Sequence, residues 1–580
     1  MEALLDWMAA NPQVWAWFTT AVRFLFPVLA LLILIRTIRS LLTVPCLPEV
    51  WAYLTLPNGA QEPLTHWENI LGRGGNSDVI LNYPVVSRQH AALIRQADDT
   101  WTAYDLGSKG GVTVNGRPVE GSAPVQYGDV VGIGGVETVL LPLSPEEKAQ
   151  RRQRRRAWRP VSPWLGLVLL TVFQALTALQ LTISEGENAT VMIPLTFLLL
   201  TGVMWLYFLT LRALRRVGFE METIAFFLST LSLAVTSSSN TPALFKQFLC
   251  VVLGLALFLV LGVFLRNLDR AKKIRWLMAA GAIGLLSLTV VLYLLGLTGT
   301  KYGAANWLTI AGISVQPSEL AKMAVVIYFS ATISKKREKM QTWSQGIWPY
   351  VLILGVIALL MMREPHLSGT ILIVCTGIVL MIVGGIKGWL IPLGIGGVGL
   401  VGTLYVILVQ KGILHYGENR INTWRDPFNA EWYRGDGWQI AQCLIAIGSG
   451  GLLGVGLGKG RQKFLYLPEE HNDCIFAVIC EELGLVGACV IMLVFALLIL
   501  RGFWIALHAR DRFGALLVVG FMTLTGLQTF LNIAVVTGLV PATGISLPFF
   551  SYGGTALLCQ LAEMGIVLSV SRQMPAPENG

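Results

Sequence analysis

The chain has 580 residues, with 43 lysines and arginines against 34 aspartates and glutamates, and a formal net charge of +9. Charged residues make up 13% of the sequence and hydrophobic residues 54%, whereas a soluble domain carries about 25% charged residues. The composition therefore excludes a cytosolic enzyme, a disordered protein and a secreted disulfide-rich scaffold, and it predicts a polytopic membrane protein.

Residues 1–45 are predicted to contain an N-terminal signal anchor. The apolar run Val14–Ile35 is long enough to cross a bilayer core of about 30 Å. Acidic residues precede this run and Arg36 and Arg39 follow it, which is the reverse of a cleavable signal peptide. We expect the N-terminus to lie outside the cell. An amphipathic helix on the membrane surface remains an alternative, because Arg23 interrupts the run.

Residues 46–147 differ from the rest of the chain because they are polar and rich in turn signals. Short alternating stretches such as 78–81 and 111–114, separated by glycine and asparagine, predict an all-β sandwich. An arginine-rich linker follows at 148–163, and we interpret it as a solvated anchor beside the membrane.

The remaining sequence is dominated by apolar runs. They start near positions 164, 189, 223, 245, 276, 320, 348, 368, 388, 474, 513 and 553, which with the first run makes roughly thirteen spans. Basic clusters fall in alternate loops, so the positive-inside rule places the β sandwich and the C-terminus in the cytoplasm. The same rule places the long segment 410–473 outside, and no nucleic acid is needed to explain the net charge.

The segment 410–473 is too long to be a simple connector, and structureless loops of this length are uncommon unless they are functional. Its stretch 438–447 is predicted to form a helix in the membrane interface. Five basic side chains are candidates for phosphate contacts, namely Arg420, Arg425, Lys459, Arg461 and Lys463. A solvated loop with ordinary charges remains the alternative.

Asp473 lies where this segment enters the next span, beside Glu469 and His471. A partly desolvated carboxylate at a membrane mouth can serve as a general base. The alternative is a helix N-cap, which commonly is an aspartate. Glu481 falls near the same helical face, and an unpaired charge within a span costs about 2.5–3.5 kcal/mol, so we expect a polar cavity there.

Two further polar clusters interrupt the spans. Glu319 and Lys322 are three residues apart, so they share one helical face, and they either pair structurally or bind a polar headgroup. The segment 544–555 contains Ser551 among glycines and a proline, which predicts non-helical backbone at membrane depth, facing protein or a cavity.

Residues 219–572 resemble the SEDS polytopic glycosyltransferases, the FtsW/RodA/SpoVE type, which polymerise peptidoglycan. The matching segments, in chain order, are 316–322, 446–458, 466–473, 480–484, Asn532 and 547–554. The resemblance implies ten core spans, preceded by two additional spans at 164–218 and followed by a tail at 573–580. It also implies that lipid II is the substrate, that undecaprenyl diphosphate is released, and that a class B penicillin-binding protein is the partner.

In that family the aspartate closing the motif matched by 466–473 is essential, which implies a catalytic role for Asp473. Trp307, Glu319 and Lys322 match other important positions. Together with Arg420, Arg425, Lys459, Lys463, Glu469, His471, Glu481 and Ser551, they are the expected substrate-binding residues. The chain departs from the family where Pro365 and His366 replace a proline–aspartate pair. No cofactor is identified from the sequence. No residue cluster has metal-ligand spacing, and the need for a divalent cation stays open.

The β region resembles a forkhead-associated (FHA) domain, a module that reads phosphothreonine. The resemblance implies that Arg73, Ser87 and Lys109 bind phosphate oxygens by charge-assisted hydrogen bonds, and that His90 and Asn115 brace loops. An asparagine that the family often carries is replaced by the Lys109–Gly110 pair. A purely structural FHA fold is the alternative to a reader of a phosphothreonine-containing cytoplasmic protein.

These features predict an inverting lipid II polymerase at the outer face of the bacterial cytoplasmic membrane, serving division, elongation or sporulation. Asp473 would deprotonate the acceptor 4-hydroxyl, and cationic side chains would stabilise the departing diphosphate. The alternatives are a lipid II transporter and an FHA-recruited scaffold without catalysis. The predicted fold class is a polytopic α-helical membrane protein with an all-β sandwich.

Overall fold

The computed structural model describes most of the chain. It covers residues 10–42, 50–75, 77–96, 99–157, 162–186, 189–214, 219–264, 274–295, 308–310, 313–336, 340–363, 367–390, 418–431, 433–435, 437–462, 472–551 and 554–571, and the single positions 392, 396, 403, 407 and 467.

Two sheets form a β sandwich between the first and second helices. The strands are β1 (Ala52–Thr55), β2 (Gln61–Leu64), β3 (Glu68–Gly72), β4 (Val79–Ile80), β5 (Ala91–Arg95), β6 (Trp101–Asp105), β7 (Val112–Val114), β8 (Arg117–Pro118), β9 (Ser122–Val125), β10 (Val130–Ile133) and β11 (Val136–Pro142). One sheet has the order β2-β1-β11-β10-β7-β8 and the other β4-β3-β5-β6-β9. Alternate side chains of both sheets, such as Leu54, Leu93, Trp101 and Leu140, fill a separate apolar core.

A capping box starts the helix that leaves the sandwich, α2 (Pro145–Ala157). The Ser144 Oγ accepts a hydrogen bond from the Glu147 N–H at 3.1 Å, and Glu147 Oε2 accepts one from the Ser144 N–H at 2.9 Å. Glu147 Oε1 also accepts a hydrogen bond from the Tyr53 hydroxyl at 2.9 Å. The helix is therefore joined to strand β1 by a side chain at its first turn.

We expect Ser144→Ala to destabilise this junction by about 1 kcal/mol, the usual cost of removing an N-cap hydroxyl. Ser144→Thr keeps the hydroxyl and is the matched control.

Hydrogen bonds from Ser144 and Tyr53 hold the pKa of Glu147 below its ordinary value of 4.5. The ionised Glu147 carboxylate therefore contributes its full stabilisation above pH 4.5, and this contribution is lost as the pH falls through the lowered pKa of Glu147. Amide exchange of residues 52–55 and 145–150 in the full chain measures both effects.

The remaining helices form the membrane domain. They are α1 (Pro12–Leu42), α3 (Trp164–Glu185), α4 (Met192–Ala213), α5 (Glu220–Ser239), α6 (Leu244–Phe264), α7 (Arg275–Leu294), α8 (Pro317–Lys336), α9 (Trp348–Arg363), α10 (Leu367–Val383), α11 (Glu418–Arg425), α12 (Trp438–Gly450), α13 (Ile475–Leu507), α14 (Arg512–Val536) and α15 (Gly554–Ser571). Strands β12 (Leu308–Ile310) and β13 (Ile313–Val315) form a short hairpin before α8.

Ten helices among the described residues are long and apolar enough to cross a membrane. Two more helices, α8 and α10, lie at predicted span positions, and the predicted span near 388 lies mostly outside the described residues. The multi-pass membrane fold with a β sandwich is therefore confirmed as a class. The predicted helix at 438–447 is present as α12.

The two longest core helices carry the polar region of the molecule. Helix α13 has 33 residues and turns at Gly484, which has a positive φ of 68°. It packs against α12 and α14, and the non-helical segment 537–551 follows α14. Helix α5 is buried along its whole length, between the added helices α1 and α3 and the core helix α13.

Candidate functional site at the start of helix α13

Asp473 lies immediately before α13 and is partly exposed. The N-cap of α13 is Cys474, and no side chain caps it, so the structure does not support the N-cap alternative for Asp473. A Cβ atom added to Gly544 would stand 3.3 Å from Asp473 Oδ2. The carboxylate therefore lies over Gly544, a residue with a positive φ of 67°. This glycine leaves room for the carboxylate at the rim of the membrane domain.

Polar side chains from other elements hold the backbone around Asp473. Asn532 Nδ2 donates to the carbonyl of Asp473 at 2.9 Å and to the carbonyl of Ile545 at 2.6 Å. Ser551 Oγ donates to the carbonyl of Asn472 at 2.8 Å. Helix α14 and the segment 537–551 therefore fix the turn that precedes α13.

A second polar cluster lies one helical turn away along α14. Lys322 Nζ is 2.7 Å from Glu319 Oε2, so the predicted i,i+3 pair is present on α8. Lys322 Nζ also donates to Gln528 Oε1 at 3.3 Å, and Gln528 Nε2 donates to the carbonyl of Ser546 at 3.1 Å. Gln528 and Asn532 share a helical face, and both bind the segment that passes beside Asp473.

Two more polar side chains of α15 complete this buried region. Gln560 Oε1 accepts a hydrogen bond from the Phe549 N–H at 2.7 Å. Glu563 is only 3% exposed, and it lies within electrostatic range of Lys322 and Glu319. Two buried carboxylates therefore face one ammonium group, which is the arrangement expected of a functional polar site within a membrane.

Glu481 and Glu482 anchor the loop that follows α12. The Glu481 carboxylate accepts hydrogen bonds from the N–H groups of Arg461 and Gln462, at 2.8 and 3.2 Å. Glu482 accepts from the Gly458 N–H at 3.0 Å and from the Ser238 hydroxyl at 2.6 Å. Backbone N–H groups thus bind the Glu481 carboxylate, and this geometry does not support its predicted contact with substrate. The two carboxylates instead fix the basic loop against α13.

Three basic residues of the predicted phosphate seat are exposed, and one of them contacts the segment that carries Gly544. Arg420 is exposed, and its Nη1 donates to the carbonyl of Ala542 at 3.4 Å, two residues from Gly544. Arg425 and Lys459 are exposed as well. Trp424 Nε1 donates to the Gly538 carbonyl at 2.9 Å, so α11 packs against the same segment that carries Gly544. Arg420 and α11 therefore contact the segment whose Gly544 lies beside the Asp473 carboxylate.

The predicted phosphate-binding loops of the sandwich lie together. The Arg73 N–H donates to the Ser87 carbonyl at 2.9 Å, and the Lys109 N–H donates to Ser87 Oγ at 3.2 Å. The side chains of Arg73 and Lys109 are exposed. His90 Nδ1 accepts from the Ser87 N–H at 3.0 Å, and Asn115 Oδ1 accepts from the Val130 N–H at 2.9 Å. Two residues with exposed cationic side chains therefore lie next to Ser87.

Several predicted residues lie outside the described part of the chain, namely Trp307, Pro365, His366, Lys463, Glu469 and His471. Within the described residues no group of three or more His, Cys, Asp or Glu side chains has a metal-binding arrangement. The sequence assigned no role to Gln528, Gln560 and Glu563, and Asn532 was noted only as a match to the family. These four residues share one sequence feature, because each is a polar residue within an apolar span. Burying a polar side chain in a membrane costs free energy, so such a residue marks a functional interior.

Comparisons with known proteins cover both parts of the chain. Residues 204–575 match the FtsW/RodA/SpoVE family, described as a cell cycle protein, and residues 69–134 match the FHA domain. A probable peptidoglycan glycosyltransferase FtsW of Geobacter sp. (strain M18) is 38% identical over 292 residues, or 50% of this chain and 78% of that protein. The stage V sporulation protein E of Bacillus subtilis (strain 168) is 38% identical over 286 residues, or 49% and 76%.

A solved chain of a peptidoglycan synthase complex, reported for the coordination of polymerization and crosslinking, is similar in structure. It matches with a TM-score of 0.51 and 24% identity, over 61% of this chain and 97% of that chain. A likeness at this level concerns the fold of the membrane domain.

Proposed function

Because the chain belongs to the FtsW/RodA/SpoVE family and carries an FHA domain, we propose that it is an inverting glycosyltransferase that polymerises lipid II. Relatives in this family are named peptidoglycan glycosyltransferases. The observation that carries the proposal is the partly exposed Asp473 carboxylate over Gly544, on a backbone held by Asn532. A fixed carboxylate at the mouth of a polar interior suits a general base.

In the proposed step Asp473 takes the proton of the acceptor sugar's 4-hydroxyl. The acceptor oxygen forms a bond to the anomeric carbon of the lipid-linked donor, and the bond from that carbon to the diphosphate oxygen breaks. Undecaprenyl diphosphate leaves with the electron pair, and nearby cations such as Arg420 stabilise its charge. Attack from the face opposite the leaving group inverts the configuration.

We further propose that Asp473 faces the outside of the cytoplasmic membrane and the FHA domain the cytoplasm. Asp473 precedes α13, and Arg510 follows its other end. Arg510 lies over the ring of Trp67 in the sandwich, 4.7 Å from the ring centroid. Beyond the turn at Gly484, residues 485–507 of α13 are alone about 35 Å long, so this arrangement supports opposite faces for the two sites.

The FHA domain is proposed to bind a phosphothreonine-containing cytoplasmic protein through Arg73, Ser87 and Lys109. Paired cations beside a hydroxyl suit the charge of a phosphate group. A screen with phosphothreonine and phosphoserine peptides tests this part. Arg73→Ala should abolish binding, whereas Arg117→Ala, an exposed arginine on β8, should not change it.

The decisive experiment reconstitutes the full chain with a class B penicillin-binding protein and supplies labelled lipid II. Glycan polymer supports the enzyme. Transfer of lipid II between leaflets without polymer would favour a transporter, the first alternative. If neither polymer nor transfer is observed, and the penicillin-binding protein is still bound, the chain is a scaffold and the proposed activity is wrong.

Gly544 offers a specific test of the Asp473 geometry. We expect Gly544→Ala to lower the polymerisation rate about ten- to hundredfold, because the added Cβ would stand 3.3 Å from Asp473 Oδ2 and displace it. Gly538→Ala is the matched control, since Gly538 also has a positive φ, of 73°, but its Cβ would meet only Leu444 at 3.7 Å. Equal losses in both variants would show that backbone strain, and not the position of Asp473, causes the effect.

A further inference from the structure

An arginine–tryptophan stack joins the sandwich to the membrane domain. The Arg95 guanidinium lies 3.7 Å from the ring centroid of Trp51 and 4.8 Å from that of Trp67. Arg510 lies 4.7 Å from the Trp67 centroid. Arg510 belongs to the short turn 508–511 between α13 and α14, so this stack connects the sandwich with the helix pair that carries the candidate site.

Hydrogen bonds order the turn that carries Arg510 on the membrane side of the stack. Asp511 Oδ1 accepts a hydrogen bond from the Gly514 N–H at 2.9 Å and so caps α14. Arg512 Nη2 donates to the carbonyl of Gly384 at 2.8 Å, which ties the turn to the end of α10. Because the hydrogen bonds of Asp511 and Arg512 fix the backbone that follows Arg510, the Arg510 guanidinium extends from an ordered turn.

The sheet register shows which end of the sandwich carries the stack. The Arg95 N–H donates to the Trp67 carbonyl at 2.8 Å, so these two residues lie at the same end of β3 and β5. Strands β1 and β11 pair Ala52 with Pro142, directly after Trp51. The chain therefore enters and leaves the sandwich at the same end, the end that faces the membrane domain.

The phosphate-binding loops lie at the opposite end of the sandwich. Arg73 follows the far end of β3, and Ala91 at the start of β5 pairs with Leu71 and with Asp105. Ser87 and Lys109 belong to the loops that flank these positions. Because a strand rises about 3.3 Å per residue, Arg73 lies about 20 Å from Trp67.

We propose that the FHA domain docks on the 508–511 turn through Trp67 and Arg510, and that this orientation turns its phosphate site away from the membrane. A phosphorylated segment of a separate cytoplasmic protein then binds without displacing the domain. FHA binding thus recruits a partner to the assembled enzyme. The recruitment part rests on the proposed phosphopeptide binding, whereas the docking part does not.

Hydrogen exchange of the full chain in lipid nanodiscs tests the docking part without any peptide. Arg510→Ala should speed amide exchange in segments 61–68 and 505–512 about two- to fivefold, as expected for the loss of one exposed cation–π contact. Arg510→Lys keeps a cation and should restore protection partly. Arg117→Ala, on the other sheet edge, should change neither segment. Unchanged exchange in Arg510→Ala would overturn the docking.

A saturating phosphothreonine peptide tests the recruitment part in the same assay. Segments 72–75, 86–90 and 107–111 should become protected while 61–68 and 505–512 stay unchanged, and the peptide affinity of Arg510→Ala should equal that of the unmodified chain within about twofold. Faster exchange at 505–512 upon peptide binding would overturn the proposed independence. If the peptide protects no segment, phosphopeptide binding and recruitment are both wrong, while the first assay still decides the docking.

Discussion

Asp473→Asn should lower the rate of glycan polymerisation by a factor of about 10²–10⁴, the usual contribution of a general base. The amide keeps the size of the side chain but cannot take the proton of the acceptor hydroxyl. This loss corresponds to about 3–5 kcal/mol in the activation free energy. The measurement is the initial rate of polymer formation from labelled lipid II by the full chain with a class B penicillin-binding protein.

Glu431→Gln is the matched control for this variant, because Glu431 is an exposed carboxylate of the same extended segment. It should polymerise at the rate of the unmodified chain. Both variants should show the same thermal unfolding, since the Asn532 contact is made to the backbone of Asp473 and survives the substitution. Polymerisation by Asp473→Asn within a few-fold of the unmodified rate would remove Asp473 from the proposed role.

The second large effect concerns the buried pair on α8. Lys322→Met should destabilise the membrane domain by about 3–5 kcal/mol, because it leaves the Glu319 carboxylate buried without its ion pair. The side chains of Lys322 and Glu319 are only 3% and 8% exposed, so water cannot replace the lost partner. Thermal unfolding in detergent measures this loss.

The double variant Lys322→Met/Glu319→Gln separates structure from function. Replacing a buried ion pair by neutral groups of similar size is often close to neutral for stability, so the double variant should regain much of the lost stability. We expect its polymerisation to stay about tenfold or more below that of the unmodified chain, which corresponds to at least one lost interaction of about 1.4 kcal/mol. Recovery of both stability and activity would show that the pair is purely structural.

The sequence predicted features that depend on local spacing or on motifs. The Glu319–Lys322 pair followed from a separation of three residues on one helix, and the structure contains it. The β sandwich followed from short alternating stretches, and its strands lie between Ala52 and Pro142. The resemblances to the SEDS and FHA families are confirmed by the family matches.

Contacts between distant parts of the chain could not be predicted in the same way. Asn532 binds the backbone of Asp473, 59 residues away, and this pairing depends on how α13 and α14 pack. Helical spacing placed Glu481 near the face of Asp473, but its carboxylate binds the amides of Arg461 and Gln462. A polar residue in a span signals an interior partner, whereas the identity of that partner is a property of the tertiary fold.

In the proposed mechanism the Asp473 carboxylate accepts a proton during glycan transfer. The measurement that tests this role is the pH dependence of single-turnover transfer by the full complex, compared with that of Asp473→Asn. The rate of the unmodified chain should fall on acidification, because protonation removes the base, and the residual rate of Asp473→Asn should lack this acid limb. An identical acid limb in both proteins would contradict the claim.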